Sequence, residues 1–213
     1  MGHIGQAALA TRPLALRQPV SRMWVVSNDI MVRDAVANDA GEICTIYNEA
    51  IAERGSTFET APRSPADFHA RIDVARFPFL VGVAEERVLG WAGLASYSSR
   101  ECYAGIAEAS VYVDARARGR GIGTALAEAL AAAAEDRGFH KLIGKLLTDN
   151  LASIRLVERC GFDAVGLHRR HGQLDGDWRD VLVVERLLAH SAARRSDPQA
   201  WGQADAGNAR RTG

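Results

Sequence analysis

Arg116-Ala117-Arg118-Gly119-Arg120-Gly121-Ile122-Gly123-Thr124 lies between an apolar strand pattern, Ala109 to Val113, and an alanine-rich helical pattern that begins near Thr124. A strand that breaks at glycines and re-enters a helix leaves several backbone N–H groups aimed at one place, with the positive end of the helix dipole behind them. Such a turn is an anion site, and its three arginines suit a phosphate or pyrophosphate better than a lone carboxylate. Two familiar phosphate loops do not fit. A nucleoside-triphosphatase loop ends in Gly-Lys-Ser/Thr, and no lysine precedes Thr124. A dinucleotide fingerprint needs a third glycine where Thr124 stands, and the acids that follow at its spacing, Glu135 and Asp136, fall in the helical pattern instead of at a strand end.

The remaining match is Arg118-X-X-Gly121-X-Gly123, which resembles the pyrophosphate loop of the GNAT superfamily of N-acetyltransferases. The flanks extend the resemblance. Lys141 to Leu147 is a short apolar run fit for a buried strand, and Asn150 caps a helix that stops before Gly161-Phe162. Glu108-Ala109-Ser110-Val111-Tyr112-Val113 is similar to a strand of the phosphinothricin and arsinothricin N-acetyltransferase family. So are Ile43 to Asn48, Thr57 to Pro62, Arg100 to Tyr103 and Gly176 to Val181, so that the likeness runs over about residues 30 to 188. It implies an α/β fold, a single GNAT domain whose mixed central sheet of about six to seven strands is flanked by about four helices. It also implies an acetyl-CoA-dependent enzyme without a metal. The acceptor would be the α-amino group of a small amino-acid-like antimetabolite of the phosphinothricin, arsinothricin or methionine sulfone or sulfoximine type, with direct transfer through a tetrahedral intermediate. Acetylation of a protein N-terminus or another amine, and a non-catalytic acyl-CoA-sensing module, are the alternatives.

Site residues follow from the matched positions. Acetyl-CoA is expected at Arg118, Gly119, Arg120, Gly121, Ile122, Gly123 and Thr124, with Asn150 and Ser153 on the following helix and backbone donors for the oxyanion at Val111, Tyr112 and Val113. An amine arrives mostly as ammonium, so a base must take a proton before the lone pair attacks. Glu108 is the candidate, sharing a strand face with Ser110 and Tyr112 while Ala109, Val111 and Val113 face the other way. Amid such neighbours its carboxylate either sits in a wet cleft or has a raised pKa. Relatives carry His or Tyr as a general acid where this chain has Val157, which leaves protonation of the CoA thiolate to water, Tyr112 or Cys160. Cys160 itself reads first as a small buried hydrophobe. For the acceptor, Arg100 offers a guanidinium fork to an anionic group, with Tyr103 and Phe58 as walls. His168 and His171 read as surface-strand residues, and Trp178 as packing.

Composition sets the frame. The chain has 213 residues, 26 basic and 26 acidic side chains and no net charge. Arg12, Arg17 and Arg22 stand in an acid-free first stretch, and the last stretch is also net basic, so the body between them is net acidic. An acidic body does not suit general nucleic-acid binding, and no apolar run approaches a membrane span. Three cysteines without metal-type spacing suit a reducing cytoplasm. The domain is expected over 29–189. Residues 1–28 read as a disordered extension or an over-called start, given Met23 and Met31, and 190–213 as a disordered tail. The family resemblance further implies a homodimer.

Along the body, Ile30 to Val36 reads as the first strand. Asp39 and Glu42 offer a capping-box-like start for a helix carrying Ile43, Ile46, Tyr47, Ala50 and Ile51 on one face. A second helix is expected from Pro65 to about Val74, strands over 79–84 and 88–97, and a final strand pair, 162–170 and 179–187, joined by residues 172 to 177.

Overall fold

The computed structural model describes residues 24–27 and 30–189. Its strands are β1 (Trp24–Ser27), β2 (Ile30–Asp34), β3 (Phe79–Ala84), β4 (Arg87–Ser96), β5 (Ile106–Val113), β6 (Lys141–Leu147), β7 (Asp163–Leu174) and β8 (Asp177–Leu187). The helices are α1 (Ala40–Glu53), α2 (Pro65–Ile72), α3 (Ile122–Asp136) and α4 (Leu151–Arg159). The strands form one mixed sheet in the order β1-β2-β3-β4-β5-β6-β8-β7, with β5 and β6 parallel and the other pairs antiparallel. The four helices are as expected and the sheet gains a strand. Trp24–Ser27, part of the stretch read as lying outside the domain, pairs antiparallel with β2. The rest of the N-terminal stretch and the tail from 190 lie outside the described residues.

Strand alternation sorts the core into two layers. On one face Phe79, Val81, Trp91 and Tyr112 meet α1 and α2 through Ile43, Tyr47, Ile51 and Phe68. On the other, Leu80, Leu94, Ala107 and Leu142 meet Leu126 and Leu130 of α3. Each layer buries several large apolar side chains, at roughly 1.5–3 kcal/mol apiece. An aromatic stack centres the first layer: Trp91 lies between Phe79, at 5.1 Å, and Tyr112, at 4.7 Å, with Tyr47 edge-on to Tyr112 at 5.0 Å.

Two local expectations are corrected. The Asp39/Glu42 capping box does not form, because stronger partners compete for both carboxylates. Asp39 is buried and takes a two-pronged bond from Arg33 at 2.7 and 2.9 Å, while Glu42 accepts the N–H of Val88. Ser64 and Asp67 form a capping box instead, at the start of α2. The loop expected over 172–177 shrinks to Asp175-Gly176, at φ 51° and 90°, and β7 runs on to Leu174. Two residues at positive φ make the tight turn that matches strand twist.

The decisive feature is where the parallel pair stops. β5 pairs with β6 only over Ile106↔Lys141, Ala107↔Leu142 and Glu108↔Ile143, after which β6 continues along β8 and β5 along β4. Beyond Glu108 the two strands diverge, and the backbone of residues 109 to 113 loses its β6 partner.

Candidate active site

The gap opens onto a cleft of about 710 Å³. Of the positions at which acetyl-CoA is expected, Val111, Tyr112, Val113, Arg118, Gly119, Gly121, Ile122, Gly123, Thr124, Asn150 and Ser153 line this cleft; Arg120 is exposed and is not among the lining residues. Gly119 and Gly121 hold φ of 78° and 82°, a conformation that turns the chain into α3 and that side chains resist. The first intrahelical bond runs from Ala125 N–H to the Gly121 carbonyl at 3.0 Å, so the N–H groups of Ile122, Gly123 and Thr124 have no intrahelical acceptor. Arg118 donates to Glu53 of α1 at 2.7 Å, and Arg116 turns back to the buried Asp114. Asn150 closes the far side, accepting the Ser153 N–H and donating to the Gly55 carbonyl, each at 3.0 Å. Backbone donors and the helix dipole converge on one wall of the cleft, with Arg118 alone of the loop arginines in its lining, which suits a diphosphate.

Glu108 stands where the strands part, with its side chain on the α1/α2 side of the sheet. It is one-third exposed and accepts a 2.7 Å bond from Lys145 through Oε2, leaving Oε1 without a partner among the described residues. Glu108 is not itself among the residues that line the large cleft. Ala95, directly across from Glu108 on β4, is exposed, so the carboxylate is reached from solvent at that edge. Lys145 was not foreseen: its approach depends on the parallel register, Glu108 opposite Ile143 with Lys145 two residues on, which sequence alone does not display.

The other candidates are less gathered. Phe58 packs on Leu147, Leu174 and Val181, its ring over Gly172, on the same side of the sheet as Lys145. Arg100 and Tyr103 are exposed on the β4–β5 connection, where the guanidinium carbon stands 5.5 Å from the tyrosine ring centre. Val157 and Cys160 line a separate apolar pocket of about 60 Å³ behind Ala109 and Val111. Cys160 is buried, as expected, and desolvation pushes its thiol up to about 11. Burial also raises the Tyr112 hydroxyl above its ordinary value, Tyr47 adding to the effect. His168 and His171 are exposed with rings 4.6 Å apart, as a surface strand predicts. Trp178 is 56% exposed and not packed, because none of the described residues covers that end of the β7–β8 hairpin. A second residue missed by the sequence reading is Arg71 of α2, half-buried over the rings of Phe79 and Trp91.

Residues 43–162 match the model of the acetyltransferase (GNAT) family. This chain belongs to the GNAT family of acetyltransferases. It is 34% identical to an L-methionine sulfoximine/L-methionine sulfone acetyltransferase of Pseudomonas aeruginosa, over 74% of this chain and 94% of that protein. Among solved structures, a GNAT superfamily phosphinothricin acetyltransferase from Sinorhizobium meliloti in complex with acetyl-CoA superposes with a TM-score of 0.73 at 30% identity, over 80% of this chain and 94% of that one. A ribosomal-protein-alanine N-acetyltransferase from Brucella melitensis gives 0.71 at 31% identity, over 74% and 99%. The glycine loop and the diverging strands are thus found in a chain related to acetyltransferases named for methionine sulfoximine and methionine sulfone, for phosphinothricin and for ribosomal-protein alanine. Among the described residues no cluster of metal-binding side chains occurs, and no helix is long and apolar enough to cross a membrane.

Proposed function

We propose that the chain transfers the acetyl group of acetyl-CoA to the α-amino group of a small amino-acid-like antimetabolite of the phosphinothricin, arsinothricin or methionine sulfone or sulfoximine type. The observation that carries this is the position of Glu108, solvent-reachable at the head of the gap between β5 and β6, with one carboxylate oxygen held by Lys145 and the other open. The relatives named for methionine sulfoximine and phosphinothricin support the acceptor class. The acceptor nitrogen attacks the thioester carbon of acetyl-CoA, and collapse of the tetrahedral intermediate breaks the C–S bond and releases CoA as a thiolate that takes a proton from water. The N–H groups of Ile122 to Thr124 and the dipole of α3 would hold the diphosphate of acetyl-CoA, with Arg118 beside them. By strand alternation the backbone N–H groups of Val111 and Val113 point to the side that β6 has left, while that of Tyr112, like that of Asp114, points to β4; the two that face the gap suit the charge that develops on the thioester oxygen. Glu108 takes the ammonium proton directly or through one water, its open Oε1 being the acceptor.

A second reading, transfer to a protein N-terminus, draws on the name of the Brucella relative and on the open edge at Ala95. The exposed apolar side chains of the β7–β8 edge, Val165, Leu167 and Trp178, support the homodimer that the family resemblance implies, and light scattering reads the mass directly. Thiol release from acetyl-CoA with phosphinothricin, arsinothricin, methionine sulfone, methionine sulfoximine and alanyl peptides at equal concentration tests the proposal. We expect turnover on the free amino acids. Turnover on peptides alone would favour the second reading, and acetyl-CoA binding without turnover on any acceptor would sink both.

A further inference from the structure

Arg71 is an arginine whose surroundings explain its position but not its charge. It projects from the last turn of α2, and its guanidinium carbon stands 5.0 Å from the ring centre of Phe79 and 5.4 Å from that of Trp91. Tyr47, Tyr112 and Glu59 are close enough to feel the charge, and burial lowers its pKa. A half-buried guanidinium normally meets a carboxylate, since desolvated charge is costly unless paired. Glu59 is an acid whose charge it feels, but both carboxylate oxygens are taken by Nε and Nη2 of Arg63. Among the described residues Arg71 has ring contacts and no hydrogen bond or ion pair. An arginine does not discharge at any accessible pH, so the fork stays cationic.

The sheet register shows where that fork is. Glu108, Ser110 and Tyr112 share one face of β5. Ser110 pairs with Gly93 and Tyr112 with Trp91 on β4, and Gly93 pairs in turn with Phe79 on β3. Gly93 is the only residue type that lets the Phe79 ring lie flat there, because a Cβ would approach it to 2.6 Å. Arg71 therefore overlies β3 and β4 level with Ser110 and Tyr112, which stand about 7 and 13 Å along β5 from Glu108, and on the same side of the sheet. An amino acid whose nitrogen points to Glu108 has its oxygen-bearing groups within reach of that level. The rings beneath fix the plane of the fork and limit the entropy it loses on binding.

We propose that Arg71 is an acceptor-binding residue, a stacked guanidinium fork that docks an anionic oxygen pair, carboxylate or phosphinate, of the amino-acid substrate. This rests on the small-amino-acid reading above and narrows it to acceptors that carry an anion besides the amine. Two sources share that chemistry, the α-carboxylate and a distal phosphinate, and four acceptors separate them: phosphinothricin, methionine sulfone, methionine sulfone amide and 3-aminopropyl(methyl)phosphinate. The enzymes are the whole chain, Arg71→Met, which keeps length over the rings, and Arg71→Lys, which keeps the charge without the fork. Acetyl-CoA affinity of each variant, read by calorimetry, verifies that the fold and the cofactor cleft are intact.

For the wild-type chain we expect kcat/KM on the order of a hundredfold higher with the anion Arg71 holds than without it, the difference appearing mainly in KM. Loss on amidation assigns the carboxylate, and retained activity on the decarboxylated phosphinate assigns the distal group. In Arg71→Met that preference should collapse to within a few-fold, with Arg71→Lys between the two. If Arg71→Met binds acetyl-CoA normally and keeps the full preference, Arg71 does not hold the anion, while the proposed activity stands. If the wild-type chain acetylates no small amino acid, the proposed activity fails and this assignment fails with it.

Discussion

Gly121→Ala isolates the glycine turn. Gly121 has φ 82° and ψ −2°, and a Cβ built on it meets nothing within 4 Å, so the whole penalty is backbone conformation. Holding an L-residue there costs about 1–2 kcal/mol. Gly138, just past the end of α3, has nearly the same φ, 81°, and equally open surroundings, but it lies far along the helix from the cleft. The two substitutions therefore impose similar strain in different places. Residues 118 to 121 are exposed, so in the free protein the altered loop can relax; it must return to its original path to present the N–H groups of Ile122 to Thr124. Since 1.4 kcal/mol is tenfold, Gly121→Ala should weaken acetyl-CoA binding roughly 5- to 30-fold with a small change in Tm. Gly138→Ala should lower Tm by about 2–8 °C and leave the affinity within twofold. Calorimetric titration with acetyl-CoA and thermal melts of both variants read this directly. Unchanged affinity in Gly121→Ala, or equal loss in both, would refute the assignment of the turn as the diphosphate cradle.

Further consequences are open to test. Glu108→Gln preserves shape and removes the base, so kcat should fall about 10²–10⁴-fold while acetyl-CoA affinity holds; a wild-type rate at every pH would remove Glu108 from the mechanism. Asp114 is buried and accepts the Arg116 backbone N–H at 2.8 Å as well as its guanidinium, bonds that hold its carboxyl below the ordinary 3.8. A depressed folded-state value stabilises above the unfolded value and is lost as pH falls through the folded one. Asp114→Asn should thus cost about 1 kcal/mol near neutrality, most of the Arg116 side chain being exposed, and the gap to wild type should close in acid; a gap constant across pH in urea melts would contradict this. Cys102 is exposed whereas Cys44 and Cys160 are buried, so a thiol reagent on the native chain should label one of the three cysteines rapidly and the others only on unfolding, and rapid labelling of Cys160 would contradict its burial.

What the sequence revealed followed from local chemistry. Glycines at 119 and 121 mark a turn wherever they occur, Asn150 announces a helix start, and alternation from Glu108 to Tyr112 separates the two faces of β5. What it hid depended on register and tertiary contact. Lys145 meets Glu108 because two strands distant in sequence run parallel for three residues and then part. Arg71 reaches the same face from a separate helix, its position set by the ring of Phe79 over Gly93. Asp39 and Glu42 have capping spacing, yet Arg33 and Val88 claim their carboxylates, and tertiary partners override the local signal. Trp178 looked like core because tryptophan is highly buried on average, and the sequence does not show that none of the described residues covers the hairpin end.

The most direct test is mass spectrometry of the acceptors after incubation with acetyl-CoA and the purified chain, with fragmentation to locate the added group. The account predicts a single acetyl group on the α-nitrogen of the free amino acid, dependent on Glu108. Acetyl-CoA that binds but leaves every free amino acid unmodified, or an acetyl group found only on peptide N-termini, would contradict it.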